Sequence, residues 1–406
     1  LMRSSAASDV YKRQSLQADM VVLAIGVTPD TALAKKAGLE LGIKESIVVN
    51  DRMETSVPDI YAAGDAVQVK HYVTGNEALI SLAGPANKQG RIIADNICGG
   101  DSRYLGSQGS SVIKVFDMTA ATTGINETNA KKSGLEVDTV ILSPMSHAGY
   151  YPGGKVMTMK VVFEKETYRL LGAQIIGYEG VDKRIDVLAT AIHAGLKATQ
   201  LKDLDLAYAP PYSSAKDPVN MAGFMIDNIA KGTLKQWHLE DMDKISRDKS
   251  VVLLDVRTVG EFNRGHMDGF KNIPVDELRE RINEIEKGKP VYLICQSGLR
   301  SYIASRILEG NGYETYNFSG GFRFYDTAGK IYGQCIFKAD YGAIGTGGKG
   351  LAHINIETVD IGLHVLRNLH GAHICKPCRG IFILNLAVKG SHHNILQKQR
   401  DYPDKR

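Results

Sequence analysis

The sequence predicts a multidomain chain of mixed α/β and α+β class. It reads as the remnant of a doubly wound parallel sheet, then an antiparallel sheet with helices on one side, then a smaller α/β unit. Three observations predict this. Short unbroken apolar runs that end in glycine or a charged pair, Asp19–Gly26 and Val251–Arg257 among them, suit strands buried on both faces. Between them, residues 111–231 mix strand runs with an amphipathic helix, as an α+β unit does. The length of 406 residues suffices for two to four cores.

Composition narrows the class. With 49 Lys+Arg against 45 Asp+Glu the net charge is +4, too balanced to point to nucleic acid or a membrane surface as partner. No run of about 18 apolar residues is present, as a spanning helix requires. The five cysteines, at 98, 295, 335, 375 and 378, are too few and too scattered for a disulfide framework, so a reducing cytoplasm is expected. Both ends depart from globular patterning. Residues 1–14 lack an apolar period and are expected to be a non-native leader resembling adapter read-through, with the chain an N-terminally truncated fragment. Residues 335–406 read as a tail of uncertain structure.

The first domain is expected over 15–105. Asp19–Gly26 reads as a buried strand, Val27–Asp30 as a turn, Thr31–Ala37 as a short helix and Ile47–Asn50 as a second strand. A further buried strand, Ile60–Asp65, would deliver Gly64 and then the Asp65 carboxylate to a sheet edge, where ligands of open α/β sheets gather. A lone Asp65 could equally cap a helix. The next helix opens at Leu82-Ala83-Gly84-Pro85, with Ile92, Ile93 and Ile97 continuing its apolar face. Its free amides and dipole would stabilise negative charge.

Residues 106–232 form the second expected domain. Strands are expected at 112–116, 139–142, 156–163 and 170–177, and a helix over Lys183–Ala194 with Ile185, Leu188, Ala189 and Ile192 on one face. The rigid stretch Leu206–Tyr212 carries Tyr208 and Tyr212 on either side of Ala-Pro-Pro. Such amphipathic tyrosines commonly pack and hydrogen-bond locally.

The third domain, 236–328, holds the clearest chemistry. Strand Val251–Asp255 ends beside Arg257, and strand Val291–Ile294 ends in Cys295-Gln296-Ser297-Gly298-Leu299-Arg300, where a helix begins with Ile303, Ala304, Ile307 and Leu308 inward. Strand, cysteine, small-residue loop and helix place a thiol over a cradle of backbone N–H groups, with the helix dipole and Arg300 adding positive potential. That setting favours thiolate, and the same amides would hold an anion such as thiosulfate or a persulfide.

The pieces "AIGVTPDT", "TSVPDIYAAGDAV" and "LAGPANKQGRIIADNI" resemble the FAD-dependent pyridine nucleotide–disulfide oxidoreductases, in particular coenzyme A disulfide reductases and related NADH oxidases and peroxidases. The resemblance implies a FAD/NAD(P)-binding domain, with FAD, NAD(P)H and coenzyme A as part of the substrate. It implies that Gly64 and Asp65 meet the ribityl chain, and that Leu82, Ala83, Gly84 and Pro85 sit against the isoalloxazine. Residues 106–232 resemble the family's dimerisation domain, which implies a homodimer in which Tyr208 and Tyr212 reach the partner's redox centre. No G-x-G-x-x-G precedes these pieces, and Cys98 does not stand where the family's redox cysteine does. "LLDVRTVGEF", "GHMDGFKNIP", "CQSGLRS" and "FSGGF" resemble rhodanese. That implies Cys295 as the persulfide carrier, Arg300 and the loop 296–299 as the anion site, and Asp255 as a support beside the loop. Dual-specificity phosphatases of one type share the fold, but their loop has five residues between cysteine and arginine, against four here.

The tail brings His370, His373, Cys375 and Cys378 close in sequence, a spacing that could suit zinc or a dithiol, but Pro377 sets the cysteines in one tight loop and no metal site is expected. The expected function is the C-terminal part of a flavin-dependent coenzyme A disulfide, persulfide or polysulfide reductase fused to a sulfurtransferase. The alternative is a non-turnover dimer that binds or senses persulfide, with a vestigial flavin domain.

Overall fold

The computed structural model describes residues 28–329, together with backbone strand pieces at Ala7–Asp9, Gln14–Leu16, Val22–Leu23 and Ile383–Leu384. Apart from those pieces, the leader, most of the expected Asp19–Gly26 strand and the 335–406 tail with its histidines and cysteines lie outside the described residues.

The first unit is small. Thr31 precedes helix Ala32–Lys36, and a three-stranded sheet joins Ile47–Val48 in parallel to Val67–Lys70, which pairs antiparallel with Glu77–Ala78. Its core is Met53, Val67 and Val69, with Ile47, Ile80, Ile92 and Ile93 packed around them. The expected buried strand Ile60–Asp65 is not one. Tyr61 makes a single bridge to Glu54, Ile60 is exposed, and the continuous strand is the following Val67–Lys70. Asp59 and Gly64, both at positive φ, bend the segment at each end and prevent an extended run. Helix Ala83–Ile97 begins two residues before Pro85, not at it; Pro85 still falls in the first turn, where a missing N–H leaves no bond unmade. Ile97 is exposed and not part of the packed face, whereas Gln89 and Asn96 are buried.

The second unit is a five-stranded antiparallel sheet. Its order is Ser111–Val115, Met118–Gly124, Leu170–Gly177, Met157–Glu164, Val137–Leu142. Strand Met118–Gly124 was not read from the sequence, because its Thr-Ala-Ala-Thr-Thr run lacks large apolar residues. Helix Val181–His193 packs Ile185, Leu188 and Ile192 onto the sheet as expected, but the small residue buried with them is Ala191, whereas the expected Ala189 is only half-buried. Helix Pro218–Ala230, capped by Asp217, completes the layer. The first unit rests on this one: the Tyr72 hydroxyl donates to the His193 carbonyl at 2.9 Å and the two rings stack.

The third unit is a five-stranded parallel sheet in the order Gln236–Trp237, Thr315–Phe318, Val291–Ile294, Val252–Asp255, Lys271–Asn272. Its helix Leu299–Glu309 buries Ala304 and Leu308, while Ile303 faces solvent, contrary to the expectation, because the inward stripe is 301, 304, 305 and 308. The second and third units dock directly. The backbone N–H of Ile141 donates to Ser319 Oγ at 3.0 Å, and Gln236 Nε2 donates to the Thr139 carbonyl at 3.2 Å. His238 Nε2 lies 3.2 Å from the Asp138 carboxylate.

That last contact makes the docking sensitive to pH. Burial alone would pull the His238 pKa down, but the hydrogen bond to Asp138 and the charges of Asp138, Glu240 and Asp241 together carry it above its ordinary 6.5. A histidine raised in this way contributes stability that is complete below its unfolded pKa and is lost as pH climbs through the higher folded value. Asp138→Asn is therefore expected to lower the melting temperature by roughly 2–4 °C near pH 6 and by less near pH 8.5. Differential scanning calorimetry across that range checks it, and equal losses at both ends would contradict the assignment.

Candidate functional site: a thiol in an amide loop

Strand Val291–Ile294 delivers Cys295 to the carboxyl edge of the parallel sheet, the edge at which open α/β sheets gather ligands. The thiol is 1% exposed. The loop then turns into helix Leu299–Glu309 through Gly298 at φ 99°, a left-handed conformation that suits glycine. The Gly298 N–H donates to Cys295 Sγ at 3.1 Å. The "FSGGF" segment holds the loop from behind: the Phe322 N–H donates to the Cys295 carbonyl at 2.7 Å and the Arg323 N–H to the Gln296 carbonyl at 3.1 Å. Gly321, at φ 67°, has no space for a side chain, since a Cβ there would stand 2.7 Å from the Ser297 nitrogen.

Two ion pairs flank the loop. Arg257 and Asp255, both buried at the end of strand Val252–Asp255, join through Nε and Nη2, and Nη2 also donates to the Gly265 carbonyl. The Arg257 guanidinium lies 3.7 Å over the Phe322 ring, which links this pair to the segment behind the loop. The pair thus ties the end of strand Val252–Asp255 to Gly265 and to the segment behind the loop. Arg300 projects from the first turn of the helix and makes a two-pronged pair with Glu261 at 2.7 and 2.8 Å. The Arg300 hydrogen bond, with further donation from the backbone and hydroxyl of Thr258, outweighs burial and holds Glu261 down at about 2. Glu261 was missed as a site residue, although Thr258-x-x-Glu261 is a capping-box spacing visible in the sequence. Gln296 and Ser297 line the loop, and Leu299 is exposed at its mouth.

The structure also brings the two expected flavin segments together. Gly64 N–H donates to Gln89 Oε1 at 2.8 Å, and Ser81 Oγ to the Asp65 carbonyl. Asp65 is exposed, and Leu82, which precedes helix Ala83–Ile97, gives it no side-chain cap, so the Ala83 and Gly84 amides are uncapped. A Cβ on Gly84 would meet nothing within 4 Å. An exposed carboxylate beside uncapped amides and open space fits the ribityl and ring end of a flavin. The described residues hold no Gly-rich pyrophosphate turn; Gly345–Gly350 matches the G-x-G-x-x-G spacing but lies outside them.

Tyr208 and Tyr212 line a cavity of about 550 Å³ with Ser146, His147, Lys183 and Arg184. Both tyrosines are exposed, and neither is near Cys295 in the bonding network. Tyr150, which sequence reasoning did not single out, shares a 2.6 Å hydrogen bond with Tyr208, and this bond raises the Tyr208 phenol above its ordinary value. Arg184, buried, fixes the segment through Asp217 Oδ2, Ser213 Oγ and the Ser146 carbonyl. Cys98 is free and exposed. Among the described residues no His/Cys/Asp/Glu group is arranged to hold a metal, and no helix is long and apolar enough to cross a membrane.

A parallel sheet that ends in a thiol over a strand–loop–helix turn defines a rhodanese-like domain, here docked on an antiparallel interface-type domain. Residues 238–327 match the rhodanese-like domain family, 110–218 the dimerisation domain of pyridine nucleotide–disulphide oxidoreductases, and 7–90 the pyridine nucleotide–disulphide oxidoreductase family itself. An NAD(P)H sulfur oxidoreductase (CoA-dependent) of Pyrococcus abyssi is 39% identical over 203 residues, 50% of this chain and 45% of that protein. A coenzyme A disulfide reductase of Staphylococcus aureus is 35% identical over 207 residues, 51% of this chain and 47% of its own length. Among solved structures, the reduced CoADR-RHD of Bacillus anthracis superposes with a TM-score of 0.77 at 47% identity, covering 79% of this chain and 57% of that one. An NAD-dependent persulfide reductase from A. fulgidus gives 0.72 at 41%, covering 79% and 58%. The chain spans about half the length of the curated relatives it matches.

The Glu261–Arg300 pair yields a second pH dependence of opposite sign. A carboxylate held at about 2 contributes stability above its unfolded value of about 4.5, lost as pH falls through 2. Glu261→Gln is expected to lower the urea midpoint at neutral pH, and the gap to wild type to narrow only below about pH 4.5. A gap that stays constant to about pH 3 would contradict the pairing.

Proposed function

We propose that the chain is part of a flavin-dependent coenzyme A disulfide, persulfide or polysulfide reductase joined to a rhodanese sulfurtransferase, with Cys295 carrying sulfane sulfur as a persulfide. The observation that carries this reading is the buried Cys295 sulfur held by the Gly298 amide at the start of a helix, at the carboxyl edge of a parallel sheet. Amides and a helix N-terminus stabilise a thiolate or the terminal sulfur of a persulfide. The Gln296–Leu299 loop and the remaining N–H groups of Arg300 meet the sulfur donor, while Glu261 holds the Arg300 guanidinium in place. Asp65, Gly64 and the Leu82–Pro85 turn would hold the ribityl and ring end of FAD, which when bound passes reducing equivalents between NAD(P)H and a thiol centre. Tyr208 and Tyr212, on the outer face of the dimerisation domain, would serve the redox centre of a partner subunit in a homodimer. The relatives' names carry the substrate class, a coenzyme A disulfide or persulfide. A cytoplasmic setting suits the few, scattered cysteines, and small-molecule partners in place of nucleic acid or membrane suit the balanced charge.

The alternative, a persulfide-binding dimer that does not turn over, predicts sulfur uptake without release. Thiocyanate formation from thiosulfate and cyanide separates the two. Sustained turnover by the wild type, lowered at least about a thousandfold in Cys295→Ser, is expected for loss of the nucleophile. A single stoichiometric burst with no further product would favour the binding module.

A further inference from the structure

Ser301 lies fully buried on the first turn of helix Leu299–Glu309, next to Arg300 and without a role in the account above. Its Oγ is 3.2 Å from Cys295 Sγ and 3.1 Å from the Gly298 carbonyl oxygen. A hydroxyl has one proton, so it donates to only one of these acceptors at a time. The carbonyl has two further donors of its own: Asn317 Nδ2, from the neighbouring strand Thr315–Phe318, and the Tyr302 backbone N–H, each 3.1 Å away. Turning the Ser301 hydroxyl toward sulfur therefore leaves no buried acceptor unpaired, which removes the usual cost of such a change. The sulfur meanwhile keeps the Gly298 N–H as its first donor.

We propose that Ser301 is a charge-following hydrogen-bond donor. Its hydroxyl rests on the Gly298 carbonyl while Cys295 carries sulfur, and swings to Sγ as that atom regains thiolate charge. The inference deepens the sulfur-transfer reading and rests on it.

The electron count shows where the donor matters. In loading, the Cys295 thiolate attacks the outer sulfur of thiosulfate; a bond from Sγ to that sulfur forms, and the bond to the sulfonate breaks with its electron pair leaving in sulfite. In discharge, an acceptor thiolate attacks the outer sulfur of the Cys295 persulfide. A new S–S bond forms on the acceptor, and the bond to Sγ breaks with its pair returning to Sγ. No outside oxidant or reductant is needed, and charge is conserved in both steps. Negative charge grows on Sγ only in discharge, within reach of the Gly298 N–H and the Ser301 hydroxyl, where charge-assisted bonds are strongest. In loading the same bond stabilises the attacking thiolate and is given up on the way to the transition state. Loss of the hydroxyl therefore acts on the two steps in opposite directions, which general damage to the fold does not.

The test is single-turnover kinetics of the whole chain, with thiosulfate as donor and dithiothreitol as acceptor, followed by intact-protein mass. Ser301→Ala is expected to discharge sulfur roughly tenfold more slowly while loading at the wild-type rate or faster. Ser301→Thr, which keeps the hydroxyl, should return discharge to within about threefold of wild type. Asn317→Leu removes one of the carbonyl's two other donors, leaves it to the Tyr302 N–H and the Ser301 hydroxyl, and should slow discharge in the same sense but by less than Ser301→Ala. A Ser301→Ala protein whose discharge is unchanged, or which slows equally in both steps with no recovery in the threonine variant and no effect of Asn317→Leu, overturns the proposal alone. A wild type that takes up no sulfur from thiosulfate or from inorganic polysulfide overturns the sulfur-transfer reading and this inference with it.

Discussion

The site depends on one constraint: the backbone from Cys295 to Gly298 must turn from a buried strand into a helix while its amides stay pointed at the sulfur. Four residues separate Cys295 from Arg300. The turn is held from the far side by the Phe322 and Arg323 amides, which occupy the Cys295 and Gln296 carbonyls. Those amides can approach because Gly320 and Gly321 both adopt positive φ and Gly321 presents no side chain to the loop. The strand that leads into this segment, Thr315–Phe318, also supplies the Asn317 amide to the Gly298 carbonyl. The thiol loop is thus shaped by residues 317–323 as much as by its own sequence.

The same segment ties the loop to the neighbouring domain. Ser319 accepts the Ile141 N–H at the edge of the antiparallel sheet, two residues before Gly321. The path from sheet edge to thiol therefore runs through one hydroxyl and one glycine pair. Charge is arranged to leave that path undisturbed. Arg257 is matched by Asp255 and Arg300 by Glu261, so the positive side of the loop rests mainly on oriented amides and the helix start. Amide dipoles are fixed by the backbone and do not reorganise when sulfur charge appears or leaves, which suits a site that must accept and release it.

Much of this was legible in the sequence, and the exceptions are physical. Strand Val291–Ile294, the loop and the helix after it were read correctly because apolar run, cysteine and glycine fall in one contiguous stretch. The strands of the antiparallel sheet were legible wherever Val and Ile dominate, and Met118–Gly124 was not, being made of threonine and alanine. Ile60–Asp65 was misread as a buried strand because hydrophobicity alone does not show that Asp59 and Gly64 leave the extended region. Ile303 was misread because four apolar residues at 303, 304, 307 and 308 exceed the width of the stripe that the sheet covers. Glu261, Ser301 and Tyr150 were passed over for a different reason. Each acts through a partner distant in sequence or across a turn; the capping-box spacing from Thr258 marks Glu261 as a helix residue but does not announce its pairing with Arg300.

The central claim is that Cys295 is the atom that carries sulfur. Intact-protein mass after incubation with thiosulfate, on the wild type and on Cys295→Ser, tests it most directly. The account predicts a one-sulfur adduct on the wild type that is absent from the variant and is removed by a thiol. A folded wild type that gains no sulfur, or a variant that gains it equally, would contradict it.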